Sequence, residues 1–489
     1  MTEKTGSGQS EPVRIKITDM SERGQGIGRV GNLVVFVDGA LYGDTVTARW
    51  TKKKKRFALA TTISVDEPSP WRVTPDCPQA AECGGCMYAA LSPAGQIRLK
   101  EQQVRDKLVR LGGFADPPLR PMVPAPETTG FRNKAVLRLA GRSVGFLRQG
   151  SREVVDCPYC PQQTPAVTAA AQAVRDSLAE FELTAEDLGL SAMTVRTAFG
   201  TGEVMVILRT ETAPDGAGTL PAAEREDALE ELIYRLDEAV YKAGFSLESV
   251  VAERAGSGGA NADGEREYTV LAGRDHLRDQ LGNLDLEVSP ASFYQINPAM
   301  TVRMYDCVKD FAALTGEETV LDLYCGAGSI GLWCAEDAAV VLGIEAGGQA
   351  VRDANRNAVI NGIVNARYLQ GAAEEVLPRL LRDRDGEEAA APAGGRGAAD
   401  PALLRAARQA DAAILDPPRA GCRPALLQAV LQVRPERIIY MSCDPATLAR
   451  DLRQLAAGGY ALRDIVPFDN FCGSRHVETV CLMSRVEGK

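Results

Sequence analysis

No stretch of this 489-residue chain approaches 18 consecutive apolar residues, so the sequence offers no membrane-spanning helix. The opening MTEKTGSGQSEPVR lacks the apolar core of a secretory signal, and a cytoplasmic protein is expected. An excess of basic charge is also missing: 55 Lys and Arg stand against 65 Asp and Glu, for a net charge of −10. That balance argues against a protein that coats nucleic acid indiscriminately, though not against a local basic patch. Internal repeats are absent.

What is present fits a soluble globular protein, with 45% hydrophobic and 25% charged residues. At this length one core is not enough, and two to four domains are expected. Residues 10–68 contain short β-rich runs (VRIKITDM, GIGRV, NLVVFVDGA, DTVTARWT, RFALATTISV) separated by Gly, Asn and Asp turns. Their spacing suits a small β-barrel of the oligonucleotide-binding kind. Lys52, Lys53, Lys54, Lys55 and Arg56 lie between the last two runs, either guarding a solvated edge or meeting phosphates. The Pro-rich DEPSPWRVTPDCP marks a boundary. Residues 69–289 then read as a central α+β domain with a charged helix in SPAGQIRLKEQQVRDKLVRLGGF and strands in FRNKAVLRLA and SVGFLRQG. Over 290–489, strands (TVLDLYC, VVLGIE, DAAILD, RIIYMS, ETVCLMSRV) alternate with helices, which predicts a Rossmann-like, mostly parallel sheet covered on both faces. Segments 254–267 and 382–400, rich in Gly, Ala and charge, read as mobile surface loops.

Four constellations carry chemistry. In VLDLYCGAGSIGL a strand bearing Asp322 runs into Gly326 and Gly328 and then a helix. Glycines allow close backbone approach, and ligands in open α/β sheets sit at the carboxyl ends of strands. The next strand ends in Glu345, placed to hold ribose hydroxyls. An acidic residue just before the glycines suits a cofactor with a cationic amino-acid end, such as S-adenosylmethionine (SAM). In AILDPPRAG, Asp416 ends a strand and Pro417-Pro418 stiffen the turn. Arg419 follows where amino-group methyltransferases place an aromatic, which disfavours an exocyclic nitrogen as target.

The third is Cys443 in RIIYMSCDPATLARDL, where a buried strand surfaces into a loop. Methylating C5 of a pyrimidine requires a thiolate adding at C6 and a separate base to remove the C5 proton. Glu478, beside His476 in SRHVETV, can be that base. An ordinary thiol is only a few per cent ionised at neutral pH, so local activation of Cys443 is expected. The fourth is CPQAAECGGC, which spaces Cys77, Cys83 and Cys86 as C-x5-C-x2-C, with Cys157 and Cys160 downstream in VVDCPYC. Such a group in a reducing compartment predicts a metal centre; zinc and iron–sulfur both fit, and either downstream cysteine can be the fourth ligand.

Together these motifs resemble the RumA/TrmA-type RNA (uracil-5-)-methyltransferases, in particular those that carry an iron–sulfur cluster and act on 23S rRNA. The resemblance covers nearly the whole chain. It implies that residues 10–68 are a TRAM RNA-binding barrel and that Cys77, Cys83, Cys86 and Cys157 hold a [4Fe–4S] cluster. It implies SAM contacts by Gln295 (in SFYQINP), Tyr324, Glu345 and Asp416, the last also facing uracil, with Cys443 as nucleophile and Glu478 as base. A monomer with an RNA partner and no membrane association is expected. The chain departs from the pattern at Cys472, where relatives usually have proline before HVE, and at Ala372, where some have an asparagine near the adenine. Two other readings compete: an RNA-binding iron–sulfur protein with a vestigial methyltransferase domain, and an RNA amino-group methyltransferase.

Overall fold

The computed structural model describes residues 11–210, 220–255, 266–382 and 401–486. The expected surface loops fall almost entirely outside the described residues. Two compact units are present: the described residues up to Gln103 together with Phe471–Arg475, and Val104–Asn470 together with His476 onward.

The first unit is built on a closed five-stranded barrel. Its strands follow the order Val13–Met20, Gly26–Val30, Leu33–Asp38, Phe57–Glu67, Thr45–Lys53. Period-two alternation turns Ile15, Ile17, Val35, Val37, Val46, Ala48, Ala58 and Ala60 into a sealed interior. Gly28 must be glycine, because a Cβ there would lie 2.4 Å from Ile15 Cγ2 and 2.5 Å from the Lys16 carbonyl oxygen. The lysine run forms the exposed tip of the hairpin joining the last two strands in sequence, with Lys53 over the Trp50 ring and Lys54 over the Phe57 ring.

The second unit contains two seven-stranded sheets. One is mixed and runs Arg266–Gly273, Ser246–Ala255, Glu203–Thr210, Leu190–Thr197, Lys134–Ala140, Ser143–Leu147, Val154–Asp156. Helices Pro165–Glu180 and Ala222–Lys242 pack their apolar stripes on one face of it.

The other sheet follows the order Ala366–Gln370, Val340–Glu345, Thr319–Leu323, Ala412–Leu415, Arg437–Ser442, Glu478–Arg485, Tyr460–Phe468. Six strands run in one direction, the first five paired parallel; Glu478–Arg485 runs antiparallel between Arg437–Ser442 and Tyr460–Phe468. The parallel strands read as continuous apolar runs because both faces are covered. The strand order reverses between Thr319–Leu323 and Ala412–Leu415, and such a switch point opens a crevice at the carboxyl ends. The antiparallel strand has a further consequence: Glu478, its first residue, starts at the same end of the sheet where the parallel strands finish.

Candidate active site

At the switch point, the strand Thr319–Leu323 gives way to Tyr324, which holds φ 66°, and then to Gly326 and Gly328 at φ 56° and 83°. A left-handed tyrosine costs roughly 1–2 kcal/mol, a strain that accumulates at functional sites. Its hydroxyl donates to Glu374 Oε2 at 3.4 Å. Gly328 has no room for a Cβ, which would lie 2.7 Å from the Tyr368 hydroxyl oxygen. The backbone N–H groups of Gly326 and Gly347 donate to the two carboxylate oxygens of Glu345, at 3.1 and 2.7 Å.

Asp322 and Asp416 end neighbouring strands, Asp322 fully buried and Asp416 half-buried; desolvation pushes each carboxyl up to about 7. Asp322 Oδ2 accepts the Gly331 N–H at 2.9 Å, whereas its Oδ1 is buried without a partner among the described residues. Gln295 donates from Nε2 to Asp416 Oδ2 at 3.3 Å. An orphaned carboxylate oxygen beside other acidic side chains fits a cationic ligand, and SAM brings both an ammonium and a sulfonium.

The Gln295 loop is pinned by residues that sequence reading missed. Arg196 is buried and donates to the carbonyls of Pro290 and Ser292 at 3.0 and 2.8 Å. Asp353 accepts from the hydroxyls of Ser289 and Ser292, and Asn133 donates to the Gln295 carbonyl at 2.8 Å. No local motif announces these contacts. The only signal is a single charged residue, Arg196, in an otherwise uncharged strand, SAMTVRT.

Cys443 follows the strand Arg437–Ser442 and precedes Asp444, whose side chain caps the helix Pro445–Ala457. It is half-buried, and burial pushes its thiol up to about 11; Glu478 and Asp416 add to the rise while Arg419 opposes it. Glu478 is buried, and desolvation first, then Asp416, hold its carboxyl well above the usual range, again against Arg419. The cation facing both groups is therefore Arg419, whose Nη2 lies 3.3 Å from His476 Nε2 and whose carbonyl accepts from Thr447 Oγ1. Sequence reading used Arg419 only to argue against an amino-group target; its place beside the thiol came from the fold.

The folded chain thus gathers Gln295, Tyr324, Glu345, Asp416, Cys443 and Glu478 in one α/β unit. Cys77, Cys83 and Cys86 lie in the first unit, half-buried and free of disulfides, and Cys157 lies in the second. Among the described residues, no three or more His, Cys, Asp or Glu side chains are grouped to hold a metal. Cys160 is drawn down to about 7, first by its hydrogen bond with Cys157, so the two candidate fourth ligands touch each other.

Comparison with known proteins matches residues 269–486 to the tRNA (Uracil-5-)-methyltransferase family and residues 9–63 to the TRAM domain. A curated protein from Bacillus cereus (strain ATCC 10987 / NRS 248), named "Uncharacterized RNA methyltransferase", is 33% identical over 98% of this chain and 98% of its own. A namesake from Clostridium tetani is 33% identical over 96% of this chain and 95% of its own. Among solved structures, the Pyrococcus abyssi tRNA (uracil-54, C5)-methyltransferase in complex with S-adenosyl-L-homocysteine superposes with a TM-score of 0.67. That likeness spans 96% of this chain and 100% of the other at 24% identity, and it carries the fold.

Proposed function

The chain belongs to the RNA (uracil-5-)-methyltransferase family, and we propose that it methylates C5 of a uridine in 23S rRNA through a covalent Cys443 adduct. The observation that carries this reading is that Cys443 and Glu478 each face both Arg419 and Asp416 at the carboxyl end of the sheet's parallel strands. Bound in the crevice, SAM supplies an electrophilic methyl group. The residues fit its cationic end through Asp322, with Gln295, Tyr324, Glu345 and Asp416 as further contacts.

Cys443 adds as thiolate to C6 of a flipped-out uracil, and the electron pair of the C5=C6 bond moves into an enolate-like C5. Arg419 favours the anionic sulfur in an otherwise acidic pocket. After C5 has gained the methyl group, Glu478 removes the C5 proton; the C6–S bond then breaks, restoring the double bond and the thiolate. A carboxylate held above its usual range is a stronger base for this step.

We also propose that Cys77, Cys83, Cys86 and Cys157 ligate a [4Fe–4S] cluster. Spacing and thiol chemistry support it; the described side chains do not form a closed ligand set, and no step of the reaction runs through the cluster. Preference for rRNA rests on this cysteine pattern, a mark of the rRNA branch that the sequence resembles.

The test uses RNA with 5-fluorouridine at the target, which leaves no C5 proton to remove. With SAM present the enzyme stalls as a protein–RNA adduct stable to denaturing gels, and Cys443→Ala forms none. Glu478→Gln accumulates adduct on ordinary uridine. Absence of any adduct from an enzyme that methylates uridine would refute the covalent route, and methylation of tRNA alone would refute the rRNA assignment.

A further inference from the structure

On the mixed sheet, away from the crevice, a cavity of about 630 Å³ opens over the strands Lys134–Ala140, Leu190–Thr197 and the hairpin joining Ser143–Leu147 to Val154–Asp156. That volume lies within the ~300–1,000 Å³ usual for ligand pockets. Arg138 and Arg152 line it together with Ser191, and Leu147 and Val154 give it apolar wall.

The arginines of this sheet edge divide into two groups. Arg142 donates to the Leu183 carbonyl, Arg148 pairs with Glu153, and Arg175 pairs with Asp156. Arg138 and Arg152 have no side-chain hydrogen-bond or ion-pair partner among the described residues. The reason at Arg138 is local: its neighbours across the strands are Gly145 and Ala192, which offer no group to pair with. Gly145 is fixed as glycine, since a Cβ there would lie 2.0 Å from the Val155 carbonyl oxygen. Glu186 also lines the cavity, and its two carboxylate oxygens share the Gly141 N–H at 3.1 and 3.0 Å rather than pairing with either arginine. Ser191 Oγ is shielded from solvent and has no partner among the described residues. Two guanidinium groups and a hydroxyl, all without a partner among the described residues, thus border one cavity on a chain of net charge −10.

We propose that this cavity is an RNA subsite that takes one phosphate-bearing nucleotide of the substrate strand, with Arg138 and Arg152 on the phosphate. Guanidinium forks match phosphate oxygens, and guanidinium planes and apolar wall accept a base face. The inference rests on RNA being the substrate, as proposed above. It places a contact outside the reaction crevice, where binding a flanking nucleotide fixes the RNA without touching the reacting uracil.

The test measures binding of a 23S rRNA transcript by the full chain across a salt series. Each phosphate contact on a single strand contributes a slope of about 0.7 in log K against log salt, or roughly fourfold in affinity at 0.15 M. R138Q/R152Q therefore removes one phosphate contact, lowers the slope by about 0.7 and weakens binding about fourfold at 0.15 M salt. Unchanged SAM affinity of the same protein certifies the fold, and R138K/R152K regains the slope because the charge returns. R152Q alone, at an exposed hairpin position, gives half the change in slope and guards against misfolding of the double variant. An unchanged slope in R152Q and R138Q/R152Q overturns the proposal, including in favour of a protein occupant. Binding needs no methyl transfer, so the two readings fail separately: an enzyme that methylates uridine with an unchanged slope loses only the cavity. One that methylates no uridine but shows the slope change keeps the cavity and loses the proposed reaction.

Discussion

Replacing Arg419 by Gln should slow every reaction of the Cys443 thiolate while leaving the sheet intact. Burial, Glu478 and Asp416 together hold the thiol at about 11, and Arg419 is the cation that opposes them. At pH 8 about one thiol in a thousand is then ionised, and ionisation climbs tenfold per pH unit. A cation in contact shifts a neighbouring group by about 1–3 units, and a half-exposed site takes the low end of that range. Arg419→Gln should therefore slow alkylation of Cys443 by iodoacetamide about tenfold at any pH below 10. The assay is peptide mapping by mass spectrometry over pH 7–10, which separates Cys443 from the other eleven cysteines. Wild type should show a log-linear rise across that window without a plateau, because a raised thiol pKa leaves the thiolate scarce throughout it. Arg419→Lys should recover part of the rate. Equal rates in wild type and Arg419→Gln, with SAM binding intact, would refute the role given to Arg419. A plateau near pH 7 in wild type would refute the raised thiol itself.

Three further outcomes concern the cysteines and the barrel, and one the crevice. Anaerobically purified protein should be brown with about four irons per chain, and Cys77→Ser should lose the colour; a colourless protein with one zinc would sink the cluster assignment. Comparing Cys157→Ser with Cys160→Ser identifies the fourth ligand by iron content. Changing Lys52–Lys55 to Ala, at the exposed barrel hairpin, should weaken RNA binding and flatten its salt dependence with SAM affinity unaltered. An unaltered salt slope would return those lysines to a solvated edge. Asp322→Asn keeps the shape of the crevice floor but removes the charge offered to a cation, and should weaken SAM binding at least about tenfold by calorimetry; unchanged affinity would dissociate Asp322 from the cofactor.

Sequence alone determined the elements whose cause is local. The barrel strands announce themselves by alternation, as in VRIKITDM, since one face of each is sealed and the other is wet. The parallel strands announce themselves by unbroken apolar runs ended at Asp322, Glu345, Asp416 and Cys443, because chemistry in such a sheet can sit only where strands surface. Motif spacing therefore marked the candidate site before any fold was in view. Tertiary structure decided what depends on residues distant in sequence. It brought Gln295 to Asp416 across 121 positions, and it set Arg419 against a thiol and a carboxyl from two other segments. It also left Asp322 Oδ1, Arg138 and Arg152 without partners among the described residues. Propensity and periodicity describe a residue's own segment, whereas burial, charge pairing and the lack of a partner are fixed only when separate segments pack together.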